Sequence, residues 1–134
     1  MSAWGIKNFE NDVALDFVAE VIDNNGTLIK SFAEGFVTNF HTEETSLDEC
    51  FAFLALCELF AAIKKKPSDD VPSELTDWLE RTLIELDNEP LKVCVKGLQL
   101  IINDSEAKEM YLDTEYFESW LDVQDDLLKR LKSK

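Results

Sequence analysis

SLDECFAFLALCELFAAIKKK, residues 46–66, is the stretch that decides the fold. Ser46 and Glu49 form a capping box, in which two side chains satisfy free backbone N–H groups at the start of a helix. The run that follows is rich in Ala and Leu and contains no Gly or Pro, which favours a helix. Three lysines then lie where the helix dipole is negative, and Pro67 ends the helix.

This central segment is apolar on all sides, and Glu58 is its one charged residue between Cys50 and Ile63. A helix of this kind is buried either in a protein or in a membrane. Its apolar run of about 14 residues is shorter than the roughly 20 that a membrane span requires, and it contains a carboxylate. We therefore predict a buried central helix, residues 46–66, that other helices surround.

The rest of the chain supplies amphipathic segments that can cover this helix. Apolar residues recur at helical spacing in five further stretches: Val13 to Val21, Leu28 to Phe40, Leu75 to Leu86, Val93 to Ile102 and Phe117 to Leu131. A short helix is expected from Glu106 to Leu112, and no segment has the pattern of a strand. We predict an all-α fold, a single helical domain over residues 1–134, built as a bundle of about seven helices around the central one.

Two details of packing can be predicted near the N-terminus. Asn11 is a suitable N-cap for the first helix, and we expect Trp4 and Phe9, which precede it, to fold onto the helical core as an anchored lead-in. Gly35 weakens the second helix by about 1 kcal/mol relative to Ala. We expect a close packing contact at Gly35 to account for that cost.

The chain is strongly acidic. Hydrophobic residues make up 46% of it, which supports a packed core, but 28 acidic residues against 13 basic ones give a net charge of −15. Nucleic-acid binding depends on Lys and Arg that neutralise phosphates, so DNA and RNA are not expected partners. An anionic membrane is disfavoured for the same reason. The charge either steers a cationic partner towards the protein or serves solubility alone.

Cysteine usage and the N-terminus indicate the compartment. Cys50, Cys57 and Cys94 are odd in number, lie in apolar segments and lack C-x-x-C spacing, which is typical of buried thiols in a reducing compartment. The N-terminal segment has no apolar signal core. We expect a cytoplasmic protein.

No pattern of catalytic or metal-binding residues stands out. His41, the only histidine, lies in a polar link and is expected at the surface, without a nucleophile elbow in the chain. The acidic pairs lack calcium-loop spacing, and the four glycines are too scattered for a phosphate loop. We expect no catalytic residue, no metal and no cofactor. Glu58 should be structural, facing a gap between helices or pairing with a basic residue such as Lys92 or Lys96; an enzyme that uses it is the alternative.

The last helix has the most clearly two-faced pattern and carries a stripe of carboxylates on its polar side. Such a stripe can meet a basic surface and speed the encounter with it. From this charge pattern alone we predict a partner-binding face formed by Asp113, Glu115, Glu118, Asp122, Asp125 and Asp126. The second choice is the loop acids Glu43, Glu44, Asp69 and Asp70. The alternative is that these acids are only solvated.

The opening of the chain carries the pattern W-G-x-x-x-F-x-N-D-x-A-x-D-F, filled by Trp4, Gly5, Phe9, Asn11, Asp12, Ala14, Asp16 and Phe17. This pattern resembles the start of a family of small bacterial proteins of unknown function. S-E-L-x-x-W-L from Ser73 to Leu79 and E-x-W-L from Glu118 to Leu121 fit the same family. The resemblance implies an all-helical cytoplasmic domain with no assigned catalytic residues. Members look like immunity proteins of the contact-dependent growth inhibition type, which neutralise the toxin encoded beside them.

The resemblance and the acidity lead to one functional hypothesis. A nuclease active site is basic because it holds phosphate, and a carboxylate face can occupy it. We expect an immunity protein that binds and blocks the active site of a cognate basic nuclease toxin domain, with an RNase as the first expectation. The alternative is an acidic helical scaffold or adaptor protein without a toxin partner.

Overall fold

Helices dominate the computed structural model, which describes residues 3–82, 84 and 87–133. Their bounds are α1 Asp12–Asp23, α2 Ile29–Asn39, α3 Leu47–Ile63, α4 Ser73–Thr82, α5 Asn88–Asn103, α6 Glu106–Leu112 and α7 Phe117–Lys132. Within the described ranges, β structure is limited to an isolated bridge between Ala3 and Asn11. The predicted all-α class is confirmed. Leu83 and Leu86, predicted to continue the apolar side of α4, lie outside the described residues.

The predicted central helix is α3. Eleven of its 17 residues are buried, and it packs against each of the other six helices. Its N-cap is Ser46, whose hydroxyl accepts a hydrogen bond from the backbone N–H of Glu49 at 3.1 Å. The helix ends at Ile63, three residues earlier than predicted, because the backbone turns into the left-handed region at Lys65, with φ 66°. Within the described ranges, no helix is long and apolar enough to cross a bilayer.

Lys64, which follows α3 directly, binds the end of another helix. Lys64 donates from its ammonium group to the backbone carbonyl oxygens of Leu131, at 2.6 Å, and of Ser133. The last carbonyls of a helix have no partner within the helix, and a cation stabilises the negative end of its dipole. Lys64 therefore caps the C-terminus of α7 and ties it to the end of α3.

The residues that precede α1, residues 3–11, form the lead-in segment. Asn11 caps α1 as predicted, since its side-chain oxygen accepts from the backbone N–H of Ala14 at 2.7 Å. Phe9 is buried, also as predicted, but the prediction for Trp4 is wrong: 60% of this residue is exposed. Its backbone N–H donates to the carbonyl of Glu10 at 3.0 Å, and the bridge from Ala3 to Asn11 fixes the same turn. In this turn Ala3 and Phe9 point into the core while Trp4 points out.

The close glycine contact lies on a different helix from the one predicted. Nothing lies within 4 Å of a Cβ added at Gly35, so the predicted contact there is wrong. On α5, a Cβ added at Gly97 would lie 2.2 Å from Cζ of Phe53. The absent side chain at Gly97 therefore lets the ring of Phe53 approach the backbone of α5. The three cysteines are buried free thiols, as predicted.

Candidate functional site: an acidic cleft beside a buried ion pair

Glu58 is the charged residue that the apolar α3 carries into the core, where it is only 1% exposed. Arg130 of α7 meets it with two hydrogen bonds, from Nη1 to Oε1 at 2.9 Å and from Nη2 to Oε2 at 3.3 Å. The same guanidinium donates from Nε to Asp126 at 2.8 Å and from Nη1 to the carbonyl of Lys66 at 3.0 Å. The predicted structural role fits this pairing, but the predicted partners, Lys92 and Lys96, were wrong.

Two side-chain amides extend this cluster: Asn8 binds Glu58, and Gln124 binds Asn8. Asn8 donates from Nδ2 to Oε2 of Glu58 at 2.8 Å and to Oε1 of Gln124 at 3.1 Å. Gln124 returns a bond from Nε2 to Oδ1 of Asn8 at 2.8 Å. Among the described residues, no buried side-chain nitrogen or oxygen lacks a hydrogen-bond partner. The cluster of Asn8, Glu58, Gln124 and Arg130, the buried polar cluster below, is therefore satisfied throughout, as a polar group in a core must be.

Burial controls the protonation of Glu58. It raises the pKa of this carboxyl above its ordinary value, because the charged form loses its water. Hydrogen bonding and charge from Arg130, with the bond from Asn8, act in the opposite direction and offset the shift only in part. Glu58 is thus a carboxylate whose ionised form depends on its partners.

An open cleft of about 410 Å³ lies directly beside this cluster. Three parts of the chain form its walls: residues 7 and 8 of the lead-in segment, residues 67–70 of the loop after α3, and Asp122, Val123 and Asp126 of α7. The pair Glu58–Arg130 also lines it. Five carboxylates and two cations stand on these walls. We call this feature the acidic cleft. It brings together four predicted binding residues, Asp122 and Asp126 from the first choice and Asp69 and Asp70 from the second.

The loop acids of the cleft are held by the lead-in segment. Lys7 forms an ion pair with Asp69 at 2.9 Å, and both side chains are substantially exposed. Asp70 accepts from the backbone N–H of Phe9 at 3.1 Å and from the hydroxyl of Ser68 at 2.5 Å. The bond and charge of Lys7 lower the pKa of Asp69 below its usual value. These contacts fix the lead-in segment and the loop as one wall.

Asp122 is the wall residue most available to a partner. It is exposed, and none of the ion pairs within the described ranges involves it. Asp126 also faces solvent but already binds Arg130 at 2.8 Å. A cationic side chain that enters the cleft can therefore pair with Asp122 without breaking an existing ion pair.

The other predicted acids lie elsewhere. Asp125 is exposed on α7 outside the cleft, and a separate group near the start of that helix, also exposed, consists of Asp113, Glu115 and Glu118. Glu43 and Glu44 lie in the turn before α3, where their backbone N–H groups each donate to Nδ1 of His41 at 3.2 Å. His41 is exposed, as predicted. The ten predicted acids thus form several groups rather than one face.

Sequence reasoning missed three residues of the site: Asn8, Gln124 and Arg130. Gln124 offered the one usable signal, because it is a polar residue on the apolar stripe of α7, where it is 0% exposed. An amide at such a position requires a buried polar partner. Asn8 and Arg130 gave no local signal, since each is separated from Glu58 by at least 50 residues in the chain.

Comparison with known families places the chain. Residues 2–123 match the family described as Domain of unknown function (DUF4259). No curated protein and no solved structure gives a significant match. The match covers every element that builds the acidic cleft except the last part of α7, which carries Asp126 and Arg130. The chain therefore belongs to the DUF4259 family, a family of unknown function.

Proposed function

We propose that this protein is an immunity protein that binds a basic nuclease toxin domain, most simply an RNase, and blocks its active site in competition between bacteria. It acts by binding and not by catalysis, and it works in the cytoplasm, where a nuclease toxin meets its substrate. Neither step requires a cofactor. The partner is a protein, since the net charge of −15 repels nucleic acid and anionic membranes alike.

The observation that carries this proposal is the acidic cleft. Asp69, Asp70, Asp122 and Asp126 come from a loop and a helix that are distant in sequence, yet they line one opening. A nuclease active site carries Lys and Arg for phosphate, so a carboxylate-lined opening is its electrostatic complement. A rigid wall is an advantage, because ordering flexible side chains on binding costs affinity.

Binding depends on long-range electrostatic steering and on a short-range ion pair. The overall negative charge steers a cationic toxin and raises the association rate. Pairing of a toxin cation with Asp122 then orients the complex, and exclusion of substrate RNA from the toxin active site gives the inhibition. The buried polar cluster supports this geometry from inside, because Arg130 positions Asp126 on the cleft wall at 2.8 Å.

The test uses the toxin domain encoded by the neighbouring gene, with its association rate and nuclease inhibition as readouts. Asp122→Lys should slow association by about 10-fold or more, because it places a like charge opposite the toxin cations. Glu43→Lys is the matched control, since it changes the net charge equally at an exposed site outside the cleft. If both variants bind equally well, the cleft is not the interface.

Salt tests the steering step separately. Association should be much slower at about 0.5 M than at about 0.05 M salt, because charges beyond a few ångströms are screened at the higher concentration. A neighbouring gene product that is no toxin, or one that this protein fails to bind, would favour an acidic scaffold or adaptor instead.

A further inference from the structure

A second opening lies at the other end of the lead-in segment. It measures about 310 Å³ and is lined by Ala3, Trp4, Gly5, Ile6, Tyr111 and Tyr116. Three of these six residues are aromatic, so we call this opening the aromatic pocket. Its size is at the lower end for pockets that bind small groups.

Two of its aromatic rings are unusually exposed. Trp4 is 60% and Tyr116 54% exposed, which makes them the most exposed large hydrophobic residues in the described part of the chain. Single apolar residues at a surface are ordinary, but here two exposed rings line the same pocket. Trp and Tyr are also the residue types that most often dominate the energy of protein interfaces.

The backbone beneath the pocket is fixed. The hydroxyl of Tyr111 donates to the carbonyl of Gly5 at 3.2 Å, and the N–H of Trp4 donates to the carbonyl of Glu10 at 3.0 Å. These bonds hold the backbone of the pocket in place, and exposure of the Trp4 ring does not come from a loose terminus. A preformed site loses little conformational entropy when it binds.

The surroundings of the pocket are negative. The carboxylate of Glu10 lies against Gly5, where an added Cβ would meet its atoms at 2.5 Å. Burial raises the pKa of Tyr111, and the charge of Glu10 adds to this shift. Glu115 precedes Tyr116 directly in the chain, and no ion pair among the described residues involves either acid. The carboxylate of Glu10 also accepts a hydrogen bond from the backbone N–H of Lys7 at 3.2 Å. The pocket thus joins aromatic faces with neighbouring carboxylates that form no ion pair.

This combination selects one chemistry. A guanidinium group stacks on aromatic faces and is attracted by their quadrupole, and nearby carboxylates add to the attraction. An uncharged apolar group would gain nothing from Glu10 and Glu115, and an anion would be repelled. We propose that the aromatic pocket is a docking site for an arginine side chain of a positively charged partner protein.

The pocket and the acidic cleft are built from neighbouring parts of the chain. Residues 3–6 line the pocket and residues 7 and 8 line the cleft. Tyr116 and Asp122 are six residues apart, which is about 9 Å along a helix. A single partner can contact both openings, so the identity of the protein that carries the arginine rests on the proposed function above.

The binding chemistry can be tested without that partner. The probes are N-acetyl-arginine amide and N-acetyl-citrulline amide, which have nearly the same shape and differ by one positive charge. In ¹H–¹⁵N NMR titrations the arginine probe should shift the indole N–H signal of Trp4, and the citrulline probe should bind a few-fold more weakly. Read from the backbone N–H signal of Tyr116, which also lines the pocket, Trp4→Phe should keep arginine binding, whereas Trp4→Leu should abolish it. Equal binding of the two probes, or an unmoved Trp4 signal, would overturn the proposal.

The partner provides the second arm of the test. Trp4→Ala should weaken toxin binding by about 30-fold, the effect of an interface hot spot. Leu28→Ala is the control, since Leu28 is 43% exposed and lies outside both openings. Toxin binding that is sensitive to Asp122→Lys but not to Trp4→Ala would refute the aromatic site and leave the proposed function intact. Selective arginine binding without any toxin binding would refute the proposed function and leave the aromatic site intact.

Discussion

Phe53 and Glu58, in the two halves of α3, are equally buried but are packed by different means. Phe53 in the first half is 0% exposed, and its ring stacks on Phe36 with centroids 4.1 Å apart while its edge meets the backbone at Gly97. Glu58 in the second half is 1% exposed and is held by a bidentate pair with Arg130. Close packing fixes Phe53, and paired charge fixes Glu58.

The apolar contact and the buried ion pair contribute differently to stability. Close apolar packing is a direct source of stability, whereas a buried ion pair recovers little more than the cost of removing two charges from water. Glu58 does, however, hold Arg130, which in turn binds Asp126 on the wall of the acidic cleft. We infer that apolar contacts such as those of Phe53 carry the fold and that Glu58 positions the wall of the acidic cleft.

The largest effect is expected when the ion pair loses one member. Arg130→Met removes the cation and leaves Glu58 buried without its charge partner, which should cost about 3–5 kcal/mol of unfolding free energy in urea titrations near neutral pH. The matched background is Glu58→Gln, where no buried charge remains to be compensated. Arg130→Met should cost much less there, and equal costs in the two backgrounds would mean that the pair is not coupled.

A pH titration sharpens the comparison by the sign of its slope. The pKa of Glu58 is raised by burial, so the folded state holds this proton more tightly than the unfolded state. The stability that this contributes is fully present below the ordinary pKa of 4.5 and is lost as the pH rises through the raised value. The unfolding free energy of the wild type, relative to Glu58→Gln, should therefore fall with rising pH. Asp69 has a lowered pKa, so the same comparison with Asp69→Asn should show the opposite slope. A flat difference for Glu58 would contradict this assignment.

The apolar contact of Phe53 is tested by filling the space at Gly97. In Gly97→Ala the new Cβ would lie 2.2 Å from the ring of Phe53, so the ring or α5 must shift. Such overpacking should cost about 1–3 kcal/mol, measured by chemical unfolding. Unlike Arg130→Met, this substitution should not alter the pH dependence of stability, because no charge is involved. Unchanged stability would show that the contact with Phe53 can relax freely.

The fold could be predicted because its determinants are local. Helical spacing of apolar residues located the helices, and the caps at Asn11 and Ser46 are each made by a side chain that reaches three residues along the chain. The central position of α3 followed from its apolarity on all sides. Only its end was misplaced, since the left-handed turn at Lys65 does not follow from a lysine in the sequence.

The candidate site depends on contacts that sequence pattern does not contain. Arg130 and Glu58 are 72 residues apart, and nothing in either helix distinguishes Arg130 from the lysines that were predicted as partners. The four aspartates of the cleft were all recognised as candidates, but the division of the ten predicted acids among several surfaces is set by how α7 packs on the lead-in segment. The exposure of Trp4 could not be predicted either, because an aromatic residue near a helix start is equally suited to a core and to a surface.

The smallest expected effect comes from the other helical glycine and has the opposite sign. Gly35 lies within α2 and nothing lies within 4 Å of its added Cβ, so Gly35→Ala introduces no clash. Alanine restricts the unfolded chain and favours the helix, which should raise the unfolding free energy by about 0.5–1 kcal/mol. The same one-methyl substitution would then stabilise α2 and destabilise α5, so that only the ring of Phe53 distinguishes the two outcomes. Loss of stability in Gly35→Ala, measured beside Gly97→Ala under identical conditions, would mean that α2 packs more closely there than its open surroundings indicate.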